Sequence, residues 1–160
     1  MAIGVVLPET SLVIDTDIFT DWRYKKVYVQ REISAYMSRA KKSPALTSMN
    51  VFEAIYGFES KAAKIGNLDE QTTRDRESTE RLIRACTILP FNEVAASIAA
   101  YVFPRLSKSH RNEHWKDLFI AATALAHGYG VATRNRSDFE LIASNLPTSR
   151  PFLRLAIWRP

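Results

Sequence analysis

The chain has 160 residues, of which 46% are hydrophobic and 24% are charged. This length and composition predict a globular protein with a substantial core and exclude overall disorder. The 22 Lys and Arg residues outnumber the 17 Asp and Glu residues, a mild excess that permits a polyanionic partner without requiring one. The single cysteine excludes an intrachain disulfide and any cysteine-based zinc cluster.

The N-terminal residues 1–7 are apolar, but they lack the basic start and the long apolar region of a signal peptide. No apolar run is long enough to cross a bilayer. We therefore expect a cytoplasmic protein with no membrane partner. No repeat, low-complexity segment or linker divides the chain, so residues 1–160 are expected to form one domain.

Hydrophobic patterning predicts strands that alternate with helices along the chain. The predicted strands are residues 11–14, 45–48, 87–90, 130–133 and 152–158. The predicted helices are 27–40, 51–56 after an Asn50 cap, 68–86, a helix through 94–102 after an Asn92 cap, 114–127, and a short helix after the turn at 135–139. Residues 107–113 are polar and basic and are expected to form a loop. Such alternation predicts an α/β fold with a mostly parallel central sheet and helices on both faces.

The helix predicted at residues 114–127 is alanine-rich and apolar almost all round, so it should lie against other elements on several sides. Asp117 lies near its N-terminus, where the helix dipole favours a carboxylate. Gly128 stands where a left-handed C-terminal cap is expected. The pattern therefore predicts an aspartate held rigidly at the edge of a packed core.

Other acidic residues follow elements that should end on the same side of the sheet. Asp15 and Asp17 follow the first predicted strand, Glu53 falls in the first turn of its helix, and Asp138 with Asn135 follows the strand at 130–133. Several carboxylates in one cleft repel each other unless some are protonated or a cation neutralises them. Oxygen-only ligands favour Mg²⁺ or Mn²⁺, which support phosphate ester hydrolysis.

Four segments together resemble the PIN-domain family. They are Val13-Ile14-Asp15-Thr16-Asp17, the run from Thr47 to Gly57 that contains Glu53, Asp117-Leu118-Phe119-Ile120-Ala121-Ala122-Thr123-Ala124, and Thr133-Arg134-Asn135-Arg136-Ser137-Asp138-Phe139. The order and spacing match from about residue 12 to residue 158. Within the family, the chain most resembles the VapC-type toxins of toxin–antitoxin pairs. The resemblance implies a PIN-like three-layer α/β/α domain.

The resemblance also implies the site residues. The first aspartate, the helix glutamate and the third-motif aspartate of the family correspond to Asp15, Glu53 and Asp117, with Asp15 and Asp117 expected as metal ligands. The fourth position is open between Asn135 and Asp138, and both are kept as catalytic candidates. Residues expected to support the carboxylates or the scissile phosphate are Thr16, Asp17 and Thr133, although Asp17 has the alternative of simply capping the next segment.

The function implied by the resemblance is that of a Mg²⁺- or Mn²⁺-dependent endoribonuclease toxin. Its expected partners are an RNA substrate, a cognate antitoxin protein and a second copy of the chain in a homodimer.

Two alternatives stay open. Residues 13–17 followed by Thr20 imitate the nucleophile loop of a haloacid-dehalogenase-like phosphatase, in which Asp15 would attack covalently. A PIN module that binds RNA or protein without catalysis is the other. Each acidic residue taken alone also has a structural explanation, because Asp satisfies turn amides and Glu53 would suit a first helical turn. His110, His114 and His127 show no metal-ligand spacing among themselves and are interpreted as loop and helix-end residues.

Overall fold

The computed structural model describes residues 3–4 and 6–160, and the strands within them form one parallel arrangement. They are β1 (Ile3–Gly4), β2 (Leu12–Ile14), β3 (Leu46–Thr47), β4 (Ile88–Leu89), β5 (Gly130–Thr133) and β6 (Leu153–Ile157). Four strands pair in the order β1-β6-β5-β2, and β3 pairs with β4. A parallel bridge between Val13 and Ala45 joins the two sets. The predicted parallel sheet is confirmed.

The helices cover both faces of this sheet. They are α1 (Thr16–Arg23), α2 (Val27–Ala40), α3 (Ser48–Ile65), α4 (Glu70–Arg84), α5 (Glu93–Val102), α6 (Lys108–Ala126) and α7 (Arg136–Ser144), with a 3₁₀ turn at Phe103–Arg105. Alternate residues of β2 enter different cores, because successive side chains of a strand point to opposite faces. Val13 packs with residues of α5, α6 and α7, whereas Leu12 and Ile14 pack with residues of α1 and α2. The predicted α/β/α layering is confirmed.

Helix α6, which carries Asp117, packs closely against the rest of the core. Its residues Leu118 and Ile120 to Ala122 are almost completely buried, as the apolar pattern predicts. Small alanine side chains allow a helix to lie close to its neighbours. Gly128 has a positive φ of 74° and so follows the helix in the left-handed region, where glycine is favoured. Asp117 is thereby fixed relative to the sheet.

The start of α6 was predicted wrongly. The helix begins at Lys108 rather than at residue 114, and residues 108–113 are helical instead of forming a loop. Ser107 caps the helix by accepting a hydrogen bond from the His110 amide. A polar, basic stretch was mistaken for a loop because its side chains lie on a solvated part of the helix.

The start of α3 was also predicted wrongly. The N-cap is Thr47, and Asn50 instead completes a capping box by accepting a hydrogen bond from the Thr47 amide. Glu53 is the sixth residue of the helix, beyond its first turn, so capping cannot explain it. Helix α1 was not predicted at all, because the acidic residues after β2 were interpreted as a turn. Strand β1 was not predicted either.

The fold brings the ends of two strands and the starts of two helices to one edge of the sheet. The C-terminal ends of β2 and β5 are neighbours, with Ile14 opposite Ala132 in parallel register. Helices α1 and α7 begin at this edge, directly after β2 and β5. Open α/β sheets place their sites at such an edge. Among the helices within residues 3–4 and 6–160, none combines the length and apolarity needed to cross a membrane.

Candidate active site

Asp15 lies at the junction between β2 and α1, where it serves as the N-cap of the helix. Its Oδ1 accepts a hydrogen bond of 2.8 Å from the Ile18 amide. Its Oδ2 accepts a hydrogen bond from the Thr133 hydroxyl on the neighbouring strand β5. Asp15 is only 4% exposed. The orientation of this carboxylate is therefore set jointly by two strands and one helix.

The charge on Asp15 is unfavourable in this position. The pKa of Asp15 is raised to about 7, chiefly by burial and to a smaller extent by the negative charges of Asp17 and Asp117, against the lowering effect of the hydrogen bonds from Thr133 and Ile18. A group with this pKa is only partly ionised at neutral pH. A nearby cation would favour its charged form.

Glu53 reaches the same edge from the second turn of α3. Its Oε1 accepts a hydrogen bond of 3.1 Å from the Thr16 hydroxyl, and Thr16 in turn accepts one of 3.2 Å from the side-chain amide of Asn50. The Lys116 ammonium lies 3.5 Å from Glu53 Oε2. The Glu53 side chain is 16% exposed, so it is held in place while one side stays open to solvent.

Asp117 and Asp138 meet on either side of one histidine. His114 Nδ1 lies 3.5 Å from Asp117 Oδ2 and 3.3 Å from Asp138 Oδ2. One donor atom from each of these three residues lies within 4.8 Å of the other two, a spacing that could hold a metal ion. Asn135 donates a hydrogen bond from its side-chain amide to Asp138 Oδ2. Helices α6 and α7 thus bring two carboxylates together.

The electrostatics of Asp117 tie these groups into one cluster. The pKa of Asp117 is raised to about 6, chiefly by burial, then by the charge of Asp138, with a smaller effect of Glu53 in the same direction. His114 opposes these effects. Because Asp117 also raises the pKa of Asp15, Asp117 interacts electrostatically with each of the other three carboxylates. We call Asp15, Glu53, Asp117 and Asp138 the acidic cluster.

The side chain of Asn135 supports the cluster. Its carbonyl oxygen accepts a hydrogen bond of 2.9 Å from Ser137, which leaves its amide to hold Asp138. The Asn135 backbone amide donates a hydrogen bond of 2.9 Å to Thr133 Oγ1, the same hydroxyl that donates to Asp15. Thr133 therefore connects the hydrogen bonds that hold Asp15 with those that hold Asp138 through Asn135.

The Asp17 side chain faces Arg134 and not the acidic cluster. Its carboxylate lies 3.4 Å from Arg134 Nη2, and the Asp17 side chain is 58% exposed. Arg134 Nη1 lies 3.0 Å from the buried Asp21, which accepts a hydrogen bond from Tyr28. Arg134 thus joins the turn after β5 to helices α1 and α2. Asp17 affects the cluster only through its charge on Asp15.

The structure places most of the predicted site residues at one edge of the sheet. The cluster members meet there, Thr16, Thr133 and Asn135 contact them, and Asp17 faces Arg134. Sequence patterning did not select His114, which was interpreted as a helix-end residue but lies inside α6 with its side chain 18% exposed. The available signal was its spacing of three residues from Asp117, which puts both side chains on one helix face.

The chain is thus a parallel α/β domain with an acidic cluster at the edge of the sheet where β2 and β5 end. The model of the PIN domain family matches residues 12–144, and the chain belongs to this family. No curated protein gave a match to the sequence.

Solved structures similar to this chain are VapBC toxin–antitoxin complexes. DNA-bound VapBC from Salmonella typhimurium aligns with a TM-score of 0.67 at 20% identity, covering 94% of this chain and 99% of that one. VapBC2 from Rickettsia felis, bound to a DNA fragment from its promoter, aligns with a TM-score of 0.66 at 15% identity, covering 92% and 98%. VapBC-5 from Mycobacterium tuberculosis aligns with a TM-score of 0.59 at 20% identity, covering 96% and 100%. The predicted resemblance to VapC-like PIN domains is confirmed at the level of fold.

Proposed function

We propose that this chain is a Mg²⁺- or Mn²⁺-dependent endoribonuclease that hydrolyses RNA phosphodiester bonds. The observation that carries the proposal is the acidic cluster, in which four separated segments of a PIN domain bring carboxylates together despite their repulsion. Ionisable groups with strongly perturbed pKa values concentrate at functional sites. The cluster is therefore the candidate centre for catalysis.

The donor set fits a hard divalent cation. Carboxylate oxygens are preferred ligands of Mg²⁺ and Mn²⁺. The raised pKa values of Asp15 and Asp117 mark an excess of negative charge that such a cation would offset. We assign Asp15 and Asp117 as ligands, with Asp138 beside them. A bound cation of this kind lowers the pKa of water and offsets charge on phosphoryl oxygens.

The chain's own residues would orient the reacting groups. Thr133 and the Ile18 amide hold both oxygens of Asp15, so its direction does not depend on substrate. Thr16 holds one oxygen of Glu53, and we assign to the other, which lies 3.5 Å from the Lys116 ammonium, the positioning of the attacking water and the acceptance of its proton. Rigid support of this type keeps reacting groups within the narrow geometry that hydrolysis requires.

Between the two candidates for the fourth position, we propose that Asp138 belongs to the acidic site and that Asn135 positions it. Asp138 supplies the charge that raises the pKa of Asp117, whereas both ends of the Asn135 side chain are engaged, with Ser137 and with Asp138. Asn135 acts through another residue in this assignment.

A polynucleotide backbone would find cations on both sides of the cluster. Lys116 lies beside Glu53, and Arg134 is 40% exposed next to the turn after β5. A cavity of about 320 Å³ adjoins Glu53 and is lined in part by Arg23 and by Tyr24, whose ring is exposed. Cations and exposed aromatic rings are the groups that bind single-stranded RNA.

We further propose that the chain acts as the toxin of a toxin–antitoxin pair, with an antitoxin protein and a second copy of the chain as partners. The solved structures with this fold include complexes named as VapBC toxin–antitoxin systems, which supports the proposal. Residues 1–160 would then act as one PIN-like domain.

The test is metal-dependent cleavage of single-stranded RNA by the purified chain. Asp117→Asn should lower the cleavage rate at least about a hundredfold, because it removes a proposed ligand and leaves the shape of the side chain unchanged. Glu140→Gln is the matched control, since Glu140 lies on α7 but pairs with Arg136 away from the cluster. Excess chelator should abolish cleavage by the native chain.

Two results would reject the nuclease proposal. Cleavage that survives chelation, or that survives Asp117→Asn, removes the role of the acidic cluster. RNA binding without any cleavage in Mg²⁺ or Mn²⁺ would select the non-catalytic binding module instead. The phosphatase alternative would be revealed by a phosphoryl group on Asp15, although both oxygens of this buried side chain accept hydrogen bonds.

A further inference from the structure

We propose that His114 is a nitrogen ligand of the cation at the acidic cluster and that it biases the site towards Mn²⁺ and away from Mg²⁺. This inference rests on the proposed function. It adds a donor to a set that otherwise consists of oxygens alone, and so changes which cation the chain selects.

The position of the imidazole carries the inference. His114 Nδ1 lies within 3.5 Å of one oxygen of Asp117 and 3.3 Å of one oxygen of Asp138, so the three atoms surround a common point. In the part of the chain that the structure describes, this is the group of His, Cys, Asp and Glu side chains whose spacing could hold a metal ion. A cation between the two carboxylates would meet Nδ1 without any change of backbone.

The other ring nitrogen has a partner of its own. Glu113 Oε2 lies 3.8 Å from His114 Nε2. When a cation occupies Nδ1, the ring proton would be on Nε2, the side of the ring on which Glu113 lies. Metal-bound histidines are commonly oriented in this way by an acceptor at the second nitrogen.

The backbone holds His114 firmly. The residue lies in the second turn of α6, because that helix begins at Lys108 and is capped by Ser107. His114 and Asp117 therefore share a helix face at a spacing of three residues, which suits joint ligation. The predicted helix began at residue 114 itself, whereas the additional N-terminal residues of α6 place His114 inside the helix and hold it more firmly than a terminal position would.

A nitrogen donor alters cation preference. Mg²⁺ is bound almost entirely by oxygen, and it demands nearly ideal octahedral geometry. First-row transition metals accept imidazole readily, with affinity that rises from Mn²⁺ towards later members of the series. Loss of His114 should therefore weaken Mn²⁺ binding much more than Mg²⁺ binding.

His110 provides a matched control. It lies one turn earlier on α6, with its ring centroid 5.8 Å from that of His114, and it is not part of the metal-ligand group. His110→Ala removes the same type of side chain from the same helix. Any effect specific to His114→Ala then reports on ligation and not on the loss of a histidine from α6.

The experiment is pulsed electron paramagnetic resonance on the Mn²⁺-loaded full chain, together with calorimetric titration of Mn²⁺ and Mg²⁺. The native chain and His110→Ala should show coupling of the Mn²⁺ electron spin to ¹⁴N, and His114→Ala should lose it. His114→Ala should also lower Mn²⁺ affinity at least about tenfold while changing Mg²⁺ affinity less than about threefold.

The outcomes separate this inference from the proposed function. Mn²⁺ binding and RNA cleavage without ¹⁴N coupling would overturn the nitrogen ligand and leave the nuclease standing, with His114 only neutralising the two acids. Coupling that persists in His114→Ala and vanishes in His110→Ala would also overturn it. A native chain that binds neither cation would overturn the metal-dependent nuclease itself. Circular dichroism of His114→Ala checks that the helix is intact, and a folded variant that keeps the coupling contradicts the assignment.

Discussion

Acidic side chains have opposite electrostatic surroundings in two regions of the molecule. On the surface formed by α3 and α4, which we call the charged face, acids are paired with cations. Arg76 lies 2.6 Å from Glu59 and 3.0 Å from Glu80, and Lys61 lies 2.9 Å from Asp69. In the acidic cluster, carboxylates instead face each other.

The pKa shifts of the two regions have opposite signs. Hydrogen bonds from Thr72 and Lys61 lower the pKa of Asp69 well below its usual range. Burial and neighbouring acids raise the pKa of Asp15 to about 7 and that of Asp117 to about 6. The charged face therefore pairs its acids with cations, whereas in the acidic cluster burial and neighbouring acids oppose the charges of Asp15 and Asp117. This difference distinguishes a solvated surface from a site.

The largest expected effect concerns the fourth position of the cluster. Asp138→Asn should lower RNA cleavage about a hundredfold, because it removes a charge from the site, whereas Asn135→Ala should lower it about tenfold by releasing Asp138. Steady-state cleavage assays measure both. Glu140→Gln again serves as the control on the same helix.

A reversed order of these two effects would contradict the assignment. If Asn135→Ala abolished cleavage and Asp138→Asn did not, Asn135 would be the site residue. Asp138 would then have only a structural role, as the acids of the charged face do. Equal effects would mean that the two side chains act as one unit, against a separate positioning role for Asn135.

Much of the fold could be predicted because local patterns determine it. The strand at 130–133 and the helix at 27–40 match β5 and α2 residue for residue. The prediction errors arose at polar residues that are compatible with more than one local structure. Ser107 and the residues after it suit a loop or a capped helix equally well, and only packing against the core decides between them.

The site was less predictable because it depends on contacts between distant segments. Residue type and order pointed to Asp15, Glu53 and Asp117 as candidates. The link between Asp15 and Thr133 joins residues 118 positions apart, and no local pattern contains it. His114 escaped selection for the same reason, since its contact with Asp138 comes from the packing of α7 on α6.

The second prediction concerns the stability of the metal-free chain. Because the folded-state pKa of Asp15 is raised from 3.8 to about 7, the folded chain binds more protons than the unfolded chain between these pH values. The free energy of unfolding should therefore fall as pH rises through this window. From pH 5 to pH 8, the titration of Asp15 alone should lower the free energy of unfolding by about 3 kcal/mol, and Asp117 adds a decrease of the same sign.

Urea unfolding in excess chelator at the two pH values measures this effect. Asp15→Asn should flatten the pH dependence, and it keeps an effective helix cap because Asn also caps well. Asp69→Asn is the matched control, since Asp69 also caps a helix but has a lowered pKa and stays charged at both pH values. A native chain that gains stability from pH 5 to pH 8 would contradict the raised pKa values.

The smallest effect is expected on the charged face. Arg76→Ala removes two ion pairs, but the Arg76 side chain is 30% exposed and its partner Glu59 is 57% exposed, so solvent screens both charges. The free energy of unfolding should fall only slightly, and by less still in high salt. RNA cleavage should stay unchanged. A loss of cleavage would mean that charge on α4 is coupled to the acidic cluster, and the distinction between the two regions would fail. Urea unfolding at low and high salt measures the contribution of the ion pairs on the charged face, and the cleavage assay on the same samples measures the function of the acidic cluster. The two measurements together show whether the two regions are coupled.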